Sequence, residues 1–468
     1  MKHLRWQAPV YRWQVEWAAD KNHHTRPNHL NRRRPRHPRP IRHLLHRLEC
    51  FRLDFPSFDL FDSGSRPRRY LEEAIPAELD GTLENNCTLL FLARKVSEGE
   101  RMKVPLFRQC AEMFMVGFPG LTPTPDFESL VKSGIYGAVL FKRNIESIEQ
   151  TAELCSKIKR DAGRPFLIAV DQEGGRVARL RGPPLIEIPP MRVIGASGDA
   201  DLAHRVGELI AFELSAIGFD WNFAPVLDVD THPDNPVIGD RSFHSKSEEV
   251  ARLGLAMAKG LEAGGIASCG KHFPGHGDTT QDSHRVLPRL PHTLERLRSI
   301  ELLPFRAYAA NQLAALMTAH IIFEAVDSKM PATMSLRVLD GILRREMGFE
   351  GLIVSDDLEM KAISDNHSLE EVVVQGAIAG VDLFLICHHA EVQSRAIEIL
   401  VQAVEKGEVK PDRIRSAANR RNALLSKFYH PPQSRAWARM LGSAEHLDLG
   451  RDLPSGNQGS DPTEFIKA

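Results

Sequence analysis

Residues 166–176 read FLIAVDQEGGR, and this stretch shows the pattern that decides the fold. Five apolar residues, typical of a buried strand, end directly in polar residues that begin with Asp171. The same succession returns along the chain, with longer amphipathic stretches between the apolar runs. This alternation is the signature of repeated β/α units.

Eight such runs stand between residue 113 and residue 388. The predicted strands are Phe114–Phe118, Gly137–Phe141, Phe166–Val170, Asp220–Val226, Ile266–Lys271, Ala315–Ala319, Gly351–Ser355 and Asp382–Cys387. The predicted helices are Ile145–Ile158, Ala203–Ala216, Ser247–Ala263, Leu294–Ala310, Leu336–Met347, Leu369–Ala379 and Ala390–Glu405. Eight strands with intervening helices favour a closed (β/α)8 barrel, an α/β fold, over an open doubly wound sheet.

The composition is that of a soluble globular protein, with 42% hydrophobic and 26% charged residues. We expect no contact with a membrane, because no apolar run reaches the roughly 18 residues that a spanning helix needs. The six cysteines are scattered without a Cys-x-x-Cys pair, which indicates buried thiols in a reducing compartment. With no secretory signal pattern at the start, the sequence predicts a cytoplasmic protein.

Three parts of the chain differ in character. Residues 1–50 hold 12 Lys and Arg against 3 Asp and Glu, and the Pro- and Arg-rich run 32–40 cannot continue a helix. We interpret residues 1–101 as a disordered basic extension, residues 102–428 as the barrel and residues 429–468 as a polar, loosely ordered tail. A nucleic-acid-binding arm is the alternative for the extension, although nothing after it reads bases and we expect no nucleic-acid partner. Met102, just before the regular pattern, offers an alternative start of the functional protein.

Polar clusters follow five of the predicted strands. They begin at Asp171, Asp228, Lys271, His320 and Ser355. Because catalytic side chains of a (β/α)8 barrel come from the carboxyl ends of its strands, five clusters in equivalent places indicate one active site. A structural carboxylate or histidine needs only its own partner and has no reason to recur at equivalent strand ends.

The polar clusters also carry a resemblance to a known family. The stretches KHFPGHG at 271–277, DSH at 282–284 and SDDL at 355–358 resemble the bacterial β-N-acetylglucosaminidases of glycoside hydrolase family 3. DQEGGRV at 171–177 and IGDRSF at 238–243 are similar to that family too. The likeness covers residues 102–428 and implies hydrolysis of terminal β-linked N-acetylglucosamine with retention of configuration, on fragments of peptidoglycan turnover.

The resemblance implies that Asp356 is the nucleophile and that His284, paired with Asp282, is the acid/base. A carboxylate suits the first role because it is ionised at neutral pH, and an imidazole suits the second because it titrates near neutrality. Asp357 is the rival of Asp356, but side chains alternate along a strand, so only one of the two faces the barrel mouth. The glycine-rich loop from Gly275 to His284 predicts a segment that closes over the sugar.

The resemblance also carries over the residues that bind substrate. These are Asp171, Arg179, Arg241, Lys271 and His272, whose carboxylate, cationic and imidazole groups can hydrogen-bond to sugar hydroxyl and acetamido oxygens. For His276 two roles stay open, a structural one within the loop and a contact with the substrate. We expect a monomer acting on a small carbohydrate without a metal or other cofactor.

Several alternatives stay open at this point. A phosphorylase would use the same covalent intermediate with phosphate in place of water, and a β-glucosidase belongs to the same family. The substrate's own acetamido group is a rival to Asp356 as nucleophile. Two further alternatives belong to other functional classes. One is a metal-dependent hydrolase whose ligands would include His272, His276, His284 and His320, and the other is a catalytically inactive sugar-binding barrel.

Overall fold

The computed structural model describes residues 98–279, 287–433, 435–456, 459 and 461, with side chains from Pro105 onward. Within these residues one sheet of eight parallel strands forms the centre of the fold. The strands are β1 (Phe114–Val116), β2 (Gly137–Leu140), β3 (Leu167–Val170), β4 (Trp221–Asn222), β5 (Cys269–Phe273), β6 (Ala315–Thr318), β7 (Leu352–Asp357) and β8 (Leu383–Ile386). Each overlaps one predicted apolar run, so the expected eight strands are confirmed.

Strands that follow one another in the chain also lie side by side. β1 pairs with β2 through Met115 and Gly137, and it pairs with β8 through Phe114 and Phe384, which closes the sheet on itself. Between β4 and β5 the closure consists of two isolated parallel bridges, Trp221 to Ala267 and Val226 to Lys271. The predicted (β/α)8 barrel is therefore confirmed.

Alternate side chains of the strands fill the barrel interior and the layer outside it. The inward set is Met115, Val139, Leu167, Ala169, Trp221, Phe223, Cys269, Met317, Val354 and Leu385. The outward set packs under the helices and includes Phe114, Ile168, Leu316, Ile353 and Phe384. Both faces are apolar, as expected of parallel strands that are covered on both sides.

Helices surround the barrel. They are Glu98–Ala111, Pro125–Ser133, Ile148–Ala162, Met191–Ser197, Ala200–Ile217, Ser247–Ala263, Leu294–Ser299, Leu302–Ala310, Arg337–Glu346 (with π-type hydrogen bonds), Lys361–Ser364, Leu369–Ala379, Ala390–Glu405, Pro411–Phe428, Trp437–Met440 and Ala444–Leu449. Among the described residues, none of these helices combines the length and the apolar character needed to cross a bilayer.

One predicted helix is two in the structure. The expected helix Leu294–Ala310 is interrupted between Ser299 and Leu302. Pro304 explains the break, because it has no N–H to donate to the Ile300 carbonyl and its ring would clash with that group. In the first turn of the second helix the same proline is tolerated.

Local sequence signals set several helix ends. Ser147 accepts a hydrogen bond from the Gln150 amide, and Asp199 accepts two from the first turn of the next helix, as N-caps do. The helix Ala200–Ile217 stops at Gly218, which has a φ of 111° that other residues rarely adopt. The following strand therefore starts at a defined place, which helps to fix the ends of the strands that carry the site.

Residues 435–456 are better ordered than their composition predicts. Their helix Ala444–Leu449 is capped by Ser443, and the buried His446 ring lies 2.9 Å from the Glu213 carboxylate and stacks on Phe212. The expectation of a loosely ordered tail is therefore wrong for residues 435–456. The proposed extension 1–101 lies almost wholly outside the described residues, and the helix Glu98–Ala111 spans its expected boundary.

Candidate active site

A pocket opens at the carboxyl ends of the barrel strands. Six of the eight predicted site residues line it together: Asp171, Arg179, Arg241, Lys271, His272 and Asp356. Apolar side chains such as Phe141, Phe223 and Met317 complete its wall. The two remaining predicted residues, Asp282 and His284, lie outside the described residues. Strands far apart in the chain thus bring one constellation together, as barrel topology requires.

An ion-pair network forms one side of the pocket. The Lys271 ammonium lies 2.8 Å from an Asp171 oxygen and 2.6 Å from a Glu173 oxygen. Arg241 donates two hydrogen bonds of 2.8 Å to Glu173, and Arg179 pairs with Asp171 at 3.2 Å. Lys271 and Arg241 use part of their donor capacity here, and two of the three ammonium hydrogens of Lys271 are engaged.

Burial and neighbouring charge act against each other in this network. Burial alone would raise the pKa of Asp171 and of Glu173, but the nearby cations outweigh it and hold both pKa values below their ordinary range. Burial alone would lower the pKa of Lys271, yet Asp171 and Glu173 keep it above its usual value. All three groups are therefore charged at neutral pH, and the pocket presents a fixed, preorganised set of charges.

His272 is held by a carboxylate beneath the pocket. Its Nδ1 lies 2.7 Å from the fully buried Asp228 carboxylate, which also accepts hydrogen bonds from the backbone amides of His272 and His276. Burial would raise the pKa of Asp228, but His272 and these hydrogen bonds bring it below its ordinary value. An ionised Asp228 favours a proton on Nδ1, so Nε2 is the nitrogen available to a ligand.

Asp356 and Asp357 have different surroundings at the end of β7. Asp356 is half-buried and lines the pocket, just where the pairing of β7 with β8 becomes irregular between Val354 and Asp357. The buried Asp357 also borders the pocket, but its Oδ1 accepts hydrogen bonds from the Cys387 and Glu359 amides. Asp357 thus joins the β7 and β8 ends, while the Asp356 carboxylate faces the space where a ligand would lie.

The other histidines of the barrel mouth are used in hydrogen bonds. His276 lines the pocket, and its Nδ1 lies 2.8 Å from the Thr279 hydroxyl, so it serves loop structure and borders the site at once. His320 lies 2.8 Å from the Thr333 hydroxyl and 3.1 Å from the Asp357 carbonyl oxygen. Among the described residues, no three His, Cys, Asp or Glu side chains are arranged to hold a metal ion.

The sequence prediction assigned no role to Glu173 and Asp228. Glu173 stands two residues after Asp171, and Asp228 begins another polar cluster, so both were visible as strand-end carboxylates. Their partners were not visible, because Lys271, Arg241 and His272 come from other β/α units. These two carboxylates position the cations and the imidazole that line the pocket.

Comparison with known proteins connects this pocket to a family. The model described as the glycosyl hydrolase family 3 N-terminal domain matches residues 106–424. A β-hexosaminidase of Neisseria meningitidis serogroup C is 43% identical over 272 residues, which are 56% of this chain and 74% of the relative. A β-hexosaminidase of Thiobacillus denitrificans is 39% identical over 342 residues, covering 70% of this chain and 91% of the relative.

Solved structures give the same result. A family 3 β-N-acetylglucosaminidase from a Paenibacillus species superimposes with a TM-score of 0.68 and 39% identity, over 74% of this chain and 67% of that one. NagZ from Neisseria gonorrhoeae, in complex with N-trifluoroacetyl-D-glucosamine, gives a TM-score of 0.61 and 35% identity, over 72% of this chain and 96% of that one. The shared region is the barrel with its pocket.

Proposed function

Because the chain belongs to glycosyl hydrolase family 3 and is a β-N-acetylhexosaminidase, we propose that it is a retaining enzyme in which Asp356 is the nucleophile and His284 the acid/base. The observation that carries this proposal is that the half-buried Asp356 lines the pocket at the end of β7. A nucleophilic carboxylate has to approach the anomeric carbon from within the pocket. Asp357 is less suited, because its carboxylate holds the backbone of the next strand end.

The proton-transfer dyad is His284 with Asp282. Both belong to the segment 280–286, whose proposed closure over the sugar brings His284 to the leaving oxygen. Thr279, where the described part ends, is hydrogen-bonded to the pocket residue His276. The five residue steps from Thr279 to His284 span at most roughly 18 Å, so the chain length is compatible with delivery of His284 to the pocket.

The proposed reaction has two steps. In the first, an Asp356 oxygen forms a bond to the anomeric carbon while the bond to the aglycone oxygen breaks and His284 gives that oxygen a proton. In the second, water attacks the same carbon, the ester bond to Asp356 breaks and His284 takes the proton of the water. Asp282 stabilises the protonated imidazole that is present before the first transfer and is formed again by the second.

The ion-pair network supplies the proposed sugar-binding groups. Asp171 accepts hydrogen bonds from sugar hydroxyls, and Arg179, Lys271 and Arg241 donate to hydroxyl or acetamido oxygens. His272 presents Nε2, because its other nitrogen is bonded to Asp228. Fixed donors and acceptors orient the anomeric carbon toward Asp356 without reorganising during the reaction.

The proposed natural substrate is terminal β-linked N-acetylglucosamine on a muropeptide fragment of peptidoglycan turnover. The names of the relatives support the N-acetylhexosamine part of this substrate, since they are β-hexosaminidases and a NagZ in complex with N-trifluoroacetyl-D-glucosamine. The same names favour water over phosphate as the acceptor. We propose that the enzyme acts in the cytoplasm, where small fragments of peptidoglycan would be turned over. We also propose that it acts as a monomer.

Kinetics on matched aryl glycosides test these assignments. Wild type is expected to cleave aryl N-acetyl-β-glucosaminides far faster than aryl β-glucosides, and Asp356→Ala is expected to lose activity on both. With a 2,4-dinitrophenyl leaving group, which needs no proton, His284→Ala is expected to retain kcat/KM, which reports the first step, while kcat falls because the second step lacks its base. With a poor leaving group kcat/KM is expected to be lost as well. Equal losses with both leaving groups would remove His284 from the acid role.

A fluorinated N-acetylglucosamine analogue tests the covalent intermediate. Slow inactivation with the label on the peptide that contains Asp356 is expected. Inhibition without a label on that peptide would favour attack by the acetamido group of the substrate, with Asp356 only stabilising it. A label on Asp357 would exchange the roles of the two aspartates.

A further inference from the structure

The C-terminal end of the described chain lies along the segment that follows β3. Gly450 packs on Ile186, where an added Cβ would lie 2.3 Å from the Ile186 side chain. Gly456 packs in the same way against Pro190, and Gly459 lies against Arg176. We call residues 450–456, 459 and 461 the C-terminal strap. Its contacts show that the strap reaches the part of the chain that carries Asp171 and Arg179.

The strap ends in a contact with a pocket residue. The Asp461 carboxylate forms an ion pair with Nη1 of Arg179, while Nη2 of the same guanidinium pairs with Asp171 at 3.2 Å. The Arg179 side chain is only 6% exposed and that of Asp461 10%. Arg179 lines the pocket, so a carboxylate from the far end of the chain takes part in its electrostatics.

Asp461 adds a third carboxylate to the pocket network. Among the described residues, the ion-paired cations are Arg179, Lys271 and Arg241, and the ion-paired carboxylates are Asp171, Glu173 and Asp461. Removal of the Asp461 charge makes the surroundings of Arg179 more positive by one unit. Burial alone would lower the pKa of Arg179, but the two aspartates outweigh it and keep the guanidinium charged.

We propose that Asp461 is a specificity-determining residue that neutralises Arg179, so that the pocket binds an uncharged sugar in preference to an anionic ligand. This inference rests on the proposed function, because it takes Arg179 to face the bound sugar. In a buried site a single uncompensated charge attracts an oppositely charged ligand strongly, since solvent screens it poorly. Loss of the Asp461 charge would therefore make the surroundings of Arg179 more attractive to an anion.

Inhibition of the full-length enzyme by one neutral and one anionic probe tests the proposal. The probes are N-acetylglucosamine and inorganic phosphate, measured as competitive inhibitors at constant ionic strength. Asp461→Asn keeps the shape and removes the charge. It is expected to bind phosphate about tenfold more tightly and N-acetylglucosamine within twofold of wild type. Asp448→Asn removes the same charge from an exposed ion pair with Arg451 and is expected to change neither constant.

Two outcomes overturn the inference. In one, phosphate inhibition of Asp461→Asn is unchanged. In the other, N-acetylglucosamine binding weakens as much as in Arg179→Ala, which makes Asp461 a positioning residue only. Arg179→Ala also separates this inference from the proposed function. If Arg179→Ala binds N-acetylglucosamine normally, Arg179 does not face the sugar and the proposed site is wrong. If Arg179→Ala binds N-acetylglucosamine weakly while phosphate inhibits Asp461→Asn no better than wild type, only the proposed role of Asp461 is wrong.

Discussion

The Glu173 carboxylate lies 2.6 Å from the Lys271 ammonium, and both side chains are almost fully buried. Arg241 approaches the same carboxylate from the other side with two hydrogen bonds of 2.8 Å. One carboxylate therefore compensates two cations that line the pocket. Loss of its charge would leave those cations buried with too few partners. This costs far more stability than the loss of one partner from an ion pair at the surface.

Glu173→Gln is expected to lower the free energy of unfolding by about 3 kcal/mol, the usual effect of breaking a buried ion pair by changing one partner. It is also expected to raise KM for an aryl N-acetylglucosaminide, because Lys271 and Arg241 lose their fixed positions. Urea denaturation and steady-state kinetics measure the two effects. Glu350→Gln, a charge removal at an exposed position, serves as control and is expected to change stability by less than about 0.5 kcal/mol. Equal stabilities of the two variants would contradict the network.

The pH dependence of stability gives a second prediction for Glu173. Its pKa is lower in the folded protein than the ordinary value of 4.5, because the attraction of Arg241 and Lys271 outweighs burial. The ionised carboxylate therefore stabilises the fold above that ordinary value, and this contribution is lost as the pH falls toward the lowered pKa. The stability difference between wild type and Glu173→Gln is expected to stay constant from about pH 5 to 8 and to shrink below about pH 4.5. A difference that grows in acid would mean that the carboxyl is protonated in the native state.

The barrel could be predicted from the sequence because each β/α unit carries its own signal. Apolar runs such as Phe166–Val170 are buried on both faces, so they stand out as continuous hydrophobic stretches rather than as alternation. Parallel strands joined by helices leave few topologies, and eight units favour closure. The choice of Asp356 over Asp357 came from the resemblance and stays a prediction, because both residues line the pocket after an irregularity in β7 that interrupts the alternation.

The contacts between distant residues could not be predicted. Arg179 and Asp461 are 282 positions apart, and no local pattern connects them. The pair of Glu213 with His446, which fixes the C-terminal helix, is 233 positions apart and equally invisible. Polar composition indicated a loose tail there, because a single buried hydrogen bond and a capped turn leave little trace in hydrophobic periodicity.

Asp228→Asn is expected to reduce kcat/KM about 100-fold with the barrel intact. The Asp228 carboxylate accepts hydrogen bonds from two groups of His272, Nδ1 and the backbone amide, and from the backbone amide of His276. After Asp228→Asn an NH₂ group replaces one of the acceptor oxygens, so two hydrogen-bond donors would face each other in at least one of these contacts. The loop that leads to His284 would then lose its anchor, and His272 its preferred tautomer. Asp230→Asn, two residues away and paired with Arg192 outside this set, is the matched control. Steady-state kinetics with circular dichroism would test this, and similar kcat/KM values for the two variants would argue against a role of Asp228 in positioning.

Asp356→Ala and Asp357→Ala are expected to separate catalysis from stability at two adjacent positions. The Asp356 carboxylate faces the pocket, so its loss is expected to lower kcat by about 10⁴-fold while stability stays the same or rises, as is common when an active-site charge is removed. Asp357 accepts hydrogen bonds from the Cys387 and Glu359 amides, and its loss would leave these buried donors unpaired, at a cost of about 2 kcal/mol. Single-turnover kinetics and urea denaturation of both variants measure the two properties. If Asp357→Ala instead abolished the glycosylation step in a stable protein, and Asp356→Ala retained it, Asp357 and not Asp356 would be the nucleophile.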